Sequence, residues 1–142
     1  MKVLDLIKDK GQNVITITPD RPAFEAMGKL IDNKIGSLVV CDTDKKVVGI
    51  ISERDVMRAA YQEYDTLRSK KVADLMTTNI IVAFPDDEID YVMTIMTQNR
   101  IRHLPIATKE GIVGLISIGD IVKFQLHETQ VKNHYLEEII GQ

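Results

Sequence analysis

At 142 residues the chain has room for one ordinary domain, or for two small ones over a shared core. Its 44% hydrophobic and 27% charged residues exclude a disordered polymer, and no apolar run approaches the ~18 residues of a membrane-spanning helix. A formal charge of −3 without a run of Lys and Arg argues against a protein that holds nucleic acid by its phosphates.

The opening "MKVLDLIKDKG" is too charged for a signal peptide, so the expected address is the cytoplasm. "VITIT", residues 14–18, is long enough only for a strand, and a Pro19-Asp20 turn follows it. Ala23, Met27, Leu30 and Ile31 then recur at helical spacing with one apolar face. "IGSLVVCD" and "KVVGIIS" read as two strands around a polar turn, and "ERDVMRAA" as a helix. The single cysteine, Cys41, follows "SLVV" among acidic neighbours, so it reads as a small buried hydrophobe and not a reactive thiol.

The polar segment "YQEYDTLRSK", residues 61–70, leads into the same succession again. "IIVAF" predicts a strand, and Ile89, Val92, Met93 and Met96 a helix. "IRHLPIA" and "GIVGLIS" predict strands, and "IGDIVKFQL" a helix. After Leu126 the tail "HETQVKNHYLEEIIGQ" carries Val131, Tyr135, Leu136, Ile139 and Ile140, a weak amphipathic helix closed by Gly141. Its apolar face is expected either on its own domain or on a second chain.

The chain is written twice. Val48, Gly49, Ile51, Ser52 and Asp55 return as Val113, Gly114, Ile116, Ser117 and Asp120 at an offset of 65. Pro19, Asp20, Met27, Asn33, Ile35 and Leu38 return as Pro85, Asp86, Met93, Asn99, Ile101 and Leu104 at 66, and Val3, Asp5 and Leu6 as Val72, Asp74 and Leu75 at 69. The offset changes only where loops are expected. The predicted organisation is a first repeat over 1–66, a second over 67–127 and a helical tail over 128–142.

In both copies a strand runs into a helix through Gly-x-x-Ser-x-x-Asp: "GIISERD" and "GLISIGD". One reading is helix capping alone, the serine accepting from a first-turn N–H and the acid favouring the positive helix end. The other is a ligand site. A glycine three residues before the serine leaves room for a close approach to the backbone. The helix N-terminus suits a phosphate, and the carboxylate suits the paired hydroxyls of a ribose, so a nucleotide is the ligand class that wants both. "NRIRHLP" adds Arg102 and His103, which strand alternation places on opposite faces unless the strand end bends. Arg102 is either a phosphate fork or a solvated charge, and His103 a ligand contact or a hydrogen-bonded imidazole. The first copy has Gly36 and Ser37 at these places, with Arg54 as a partial replacement, so its cleft is expected to carry less positive charge.

Over residues 1 to about 127 the motifs "NVITITPD … GIISERD" and "IIVAFPD … NRIRHLPI … GLISIGD" resemble a tandem pair of CBS domains, and in particular the small stand-alone CBS-pair proteins. The resemblance implies an α+β fold in which two β-α-β-β-α repeats pack as a pseudo-twofold module with two clefts, commonly as a disc-like homodimer. It implies no required cofactor, but a regulatory adenosine-containing ligand: AMP, ADP, ATP, NAD or S-adenosylmethionine. By matching positions Asp55 and Asp120 would take ribose hydroxyls. Ser52 and Ser117, with Arg102 and His103 or Arg54, would meet phosphates. Backbone around Ile15 and Ile81, with Ile35, Ile101 and Leu115, would frame the adenine. Gly119, Gly36 and Ser37 depart from many relatives, which weakens the expected phosphate grip, more so in the first site.

Catalysis is not expected. His103, His127 and His134 lie far apart in sequence, and no phosphate loop, metal-ligand spacing or nucleophile elbow is present. Two function classes remain: a ligand-sensing regulatory module that signals to a separate protein, and a constitutive dimeric scaffold whose turns are only helix caps.

Overall fold

A computed structural model of the chain describes residues 1–10 and 14–140. Gly141, read above as the end of the tail helix, lies outside the described residues. The elements run α1 (Val3–Lys10), β1 (Thr16–Ile17), α2 (Ala23–Asp32), β2 (Ser37–Cys41), β3 (Val47–Ser52) and α3 (Glu53–Gln62). After a 3₁₀ turn at Tyr64–Ser69 come α4 (Val72–Leu75), α5 (Ile89–Gln98), β4 (His103–Thr108), β5 (Gly111–Ser117) and α6 (Ile118–Ile140). The result is an α+β fold of two small sheets, one per repeat.

In the first sheet β1 lies parallel to β2 (Thr16↔Val39, Ile17↔Val40) and β2 antiparallel to β3 (Ser37↔Ser52). In the second, β4 and β5 pair antiparallel (His103↔Ser117), with an irregularity between Ile106 and Ala107 matching the one between Val40 and Cys41. The strand expected over "IIVAF" shrinks to a single parallel bridge, Ala83↔Ile106. Proline is the cause. Ala83 N–H donates to Pro105 O and Ala107 N–H to Ala83 O, so the next rung would need an N–H from residue 105, and Pro105 has none.

The helices bury the stripes their spacing predicts, with two corrections in α2, where Met27 is only half-buried and Ile31 is exposed. In α2 the buried side chains are Ala23, Ala26 and Leu30, while Ile31 is 74% exposed. In α5 they are Ile89, Val92 and Met96, with Met93 packed at the edge. Both helices end alike. Asn33 and Asn99 cap them, and Lys34 and Arg100 follow in the left-handed region (φ 53° and 54°). The amides of Ile35 and Ile101 then reach back to Leu30 O (3.0 Å) and Met96 O (2.8 Å), as in a Schellman turn.

The two copies exchange their leading helices. Helix α1, at the head of the first copy, buries Val3, Leu6 and Ile7 among Ile89, Met96, Leu104 and Ile116 of the second. Helix α4, at the head of the second, buries Val72 among Ile17, Leu30, Leu38 and Ile51 of the first. The backbone ties mirror one another: Val3 N–H donates to Asp87 O and Val72 N–H to Arg21 O, each at 2.9 Å.

This exchange explains the repeated glycines. A Cβ on Gly49 would meet Met76 Sδ and Thr77 O at 2.9 Å, and one on Gly114 would meet Ile7 Cδ1 at 3.2 Å. What closes on each glycine is the exchanged segment, not a ligand. Thr77 O is itself fixed by Ile50 N–H at 3.0 Å, whereas Ile7 Cδ1 is the free end of a side chain. Gly49→Ala is therefore expected to cost about 1–3 kcal/mol in urea unfolding and Gly114→Ala distinctly less. Equal costs would contradict this account.

Helix α6 is continuous through the place where the tail was expected to begin. It buries Ile121 and Phe124, yet Val131, Tyr135, Leu136, Ile139 and Ile140 are 44–82% exposed. The tail does not cover its apolar face on its own domain. Among the described residues no helix is long and apolar enough to cross a membrane.

Candidate functional site

Each Ser-x-x-Asp turn forms a reciprocal cap. Ser52, in extended conformation, accepts from Asp55 N–H at 3.2 Å while its own N–H donates to Asp55 Oδ2 at 2.9 Å. In the second copy Asp120 N–H donates to Ser117 Oγ (2.9 Å) and Ser117 N–H to Asp120 Oδ2 (2.8 Å). The amide that opens each helix donates to the loop before the hairpin of its own copy: Glu53 N–H to Gly36 O and Ile118 N–H to Arg102 O. Capping is thus present at both turns, and both turns also open onto a cleft.

The larger cleft, about 610 Å³, lies over Asp55. Its first-copy wall holds Gly36, Ser37, Ser52, Glu53, Arg54, Asp55 and Arg58, and its second-copy wall Thr77, Asn79, Ile81, Arg100, Ile101, Arg102 and His103. The smaller, about 380 Å³, lies over Asp120 and Ser117, with Leu115 and His103 on one side and Val14, Ile15, Lys34 and Ile35 of the first copy on the other. Both volumes fall within the range of small-molecule sites. All twelve residues singled out in the sequence line one cleft or the other. Each cleft takes its acid from one copy and most of its apolar frame from the other.

That crossing corrects the charge expectation. Arg102 faces Asp55, not Asp120, so the cleft expected to be poorer in positive charge is the richer one. Arg102 also precedes β4, which begins at His103; strand alternation does not apply between them, and both line the Asp55 cleft. His103, Gly36 and Ser37 line both clefts, marking the seam of the pseudo-twofold.

The two carboxylates differ. Asp55 is 7% exposed. Its Oδ2 accepts from the Ser52 amide and hydroxyl, and its Oδ1 accepts from Thr77 Oγ1 at 3.2 Å with Arg58 Nη1 at 3.5 Å. Asp55 is therefore a helix cap and a tie between copies; a ribose could claim only what Arg58 and Thr77 leave of Oδ1. Asp120 is half-buried and opens more fully to its cleft. Cys41 is buried, and burial first, then Asp42 beside it, holds its thiol above the usual range, as suits a packing residue.

Lys34, Arg100, Arg58, Thr77 and Asn79 escaped the sequence reading. A signal existed for two of them: Asn33-Lys34 and Asn99-Arg100 stand at equivalent places after the two amphipathic helices. For Thr77 there was none, because its role depends on the exchange of α4.

The family profile described as CBS domain matches residues 5–62 and 72–127. Among solved structures, the CBS-domain containing protein ATU1752 from Agrobacterium tumefaciens aligns with a TM-score of 0.81 and 38% identity, covering 88% of this chain and 99% of that one. The CBS domain pair of protein MJ0100, in complex with 5′-methylthioadenosine and S-adenosyl-L-methionine, aligns with a TM-score of 0.78 and 28% identity over 90% and 98% of the two chains. Of curated proteins, the mitochondrial CBS domain-containing protein CBSX3 of Arabidopsis thaliana is 33% identical over 134 residues, 89% of this chain and 65% of that protein. The chain thus falls short of that relative's full length.

Proposed function

Because this chain belongs to the CBS-domain family as a tandem pair, we propose that it is a regulatory module whose clefts take adenosine-containing ligands and whose liganded state is read by a separate protein. The observation that carries the reading is the crossed build of the clefts. A hydroxyl and a carboxylate at a helix N-terminus of one copy face an apolar frame drawn mostly from the other. A ligand whose ribose is held by Asp120 and whose base lies against Ile15 and Ile35 binds both copies at once. It therefore favours one relative packing over another, which is the only way a ligand shifts such an equilibrium. The MJ0100 pair, solved with two adenosine compounds, supports this ligand class.

In this reading the chain acts as a cytoplasmic homodimer, and exposed apolar side chains on the helices, Phe24, Met57 and Tyr61 among them, supply surface for self-association. The ligand is one of AMP, ADP, ATP, NAD or S-adenosylmethionine. One observation favours a second reading, a constitutive scaffold with unoccupied clefts: the Asp55 carboxylate is already engaged by Ser52 and Thr77.

A thermal-shift panel of the five ligands separates the two. At a hundredfold excess over its dissociation constant a ligand adds about 2.7 kcal/mol of stability, a rise of about 5–10 °C for a chain of this size. At least one of the five is expected to produce that rise. No shift from any of them would leave the scaffold.

A further inference from the structure

Resting on the reading of the clefts as adenosine sites, we infer that they sort ligands by charge. The Asp55 cleft takes an adenosine compound bearing two or more phosphates, and the Asp120 cleft one bearing a single phosphate or none.

Four of the chain's six arginines, Arg54, Arg58, Arg100 and Arg102, line the Asp55 cleft, facing only Glu53 and Asp55 as acids. The chain as a whole carries −3, so this concentration of positive charge is made by the fold alone. Arg54 and Arg58 stand on α3 of one copy, Arg100 and Arg102 on the turn before β4 of the other, so both walls contribute positive charge. Among the described residues Arg54, Arg100 and Arg102 form no ion pair, and Arg58 reaches Asp55 only at 3.5 Å. Four positive charges against two acids leave a surplus that repels itself, and a polyanion relieves the repulsion. Guanidinium forks are also the donors best shaped for phosphate oxygens.

Two further features agree. Arg100 grows from a left-handed residue locked by the Schellman turn, so its stem starts from a fixed place at the cleft lip. The Asp55 cleft is also the roomier, about 610 Å³ against about 380 Å³, which leaves space beyond a nucleoside for further phosphates. The Asp120 cleft offers one lysine, Lys34, against one acid, Asp120.

The test is calorimetric titration of the full chain with adenosine, AMP, ADP and ATP in EDTA, at low and high salt. The wild type is expected to show one site that binds ADP about tenfold or more tighter than adenosine, with the margin shrinking as salt screens the arginines. A second site should rank the four ligands nearly alike. The double variant Arg100→Gln/Arg102→Gln, both at exposed positions, should erase the margin and leave adenosine binding unchanged, whereas Lys34→Gln should leave it intact. A wild type that binds all four alike, or a double variant that weakens adenosine as much as ADP, overturns charge sorting while the clefts remain adenosine sites. Failure of all four ligands to bind brings down the adenosine reading itself, and this inference with it.

Discussion

A chain lacking residues 1–10 is expected not to fold. The deleted helix carries Val3, Leu6 and Ile7, exposed by 0%, 2% and 2%, and all three lie in the core of the second repeat. Burial of an aliphatic side chain contributes ~1.5–3 kcal/mol, so the three together contribute roughly 4.5–9 kcal/mol. That is most of the ~5–15 kcal/mol by which a domain of this kind is stable. The loss also strips the partners of Val3 N–H and Leu4 N–H, the carbonyls of Asp87 and Pro85, and leaves the amide of Ile89 without Met1 O. Removing residues 128–140 is the control, since their apolar side chains are already exposed and the melting temperature of the monomeric chain should move little. Circular dichroism melts of the two truncations decide the matter: an N-terminal deletion that melts cooperatively near the full-length temperature would refute the exchange of helices.

Asp120→Ala is expected to abolish most of the thermal shift induced by AMP or S-adenosylmethionine, the panel ligands that suit the Asp120 cleft, at a small cost to the free protein. Without ligand, the variant loses the acceptor of Ser117 N–H at a helix start, worth about 1 kcal/mol. With ligand, it loses hydrogen bonds to an ionised acceptor, worth about 1.5–3 kcal/mol each, so two ribose hydroxyls imply an affinity lower by 100-fold or more. Asp55→Ala should show the opposite balance. Its carboxylate is buried and holds the Ser52 amide, the Ser52 hydroxyl and Thr77 Oγ1, so the free protein should lose more stability than in Asp120→Ala. Melts of both variants, with and without AMP or S-adenosylmethionine, check the pair. An Asp120→Ala protein that keeps its full ligand shift would show that this acid only caps α6. Collapse of the ligand-free variant would mean the same.

Much of this protein is legible in its sequence because the signals are local. Apolar spacing within four residues sets α2 and α5, and Ser-x-x-Asp sets the caps of α3 and α6. The duplication adds the pairing of equivalent elements, and the resemblance to CBS pairs adds twelve of the residues that line the two clefts. Pro105 was legible too, for whoever asks which amide a third strand would need.

What only the tertiary structure decided is which copy each element serves. The sequence matches Val3 and Leu6 to Val72 and Leu75, but does not say that these stretches are helices, nor which core each one enters. The choice is made by long-range fit: the bare backbone at Gly49 and Gly114 admits the helix of the other copy. The same crossing carries Arg100 and Arg102 to Asp55, and Ile15 and Ile35 to Asp120, so the charge of each cleft depends on both copies at once. Local rules reach a turn of helix along the chain; the burial of one half against the other acts across some 80 positions, as between Val3 and Asp87, and leaves no mark in any single segment.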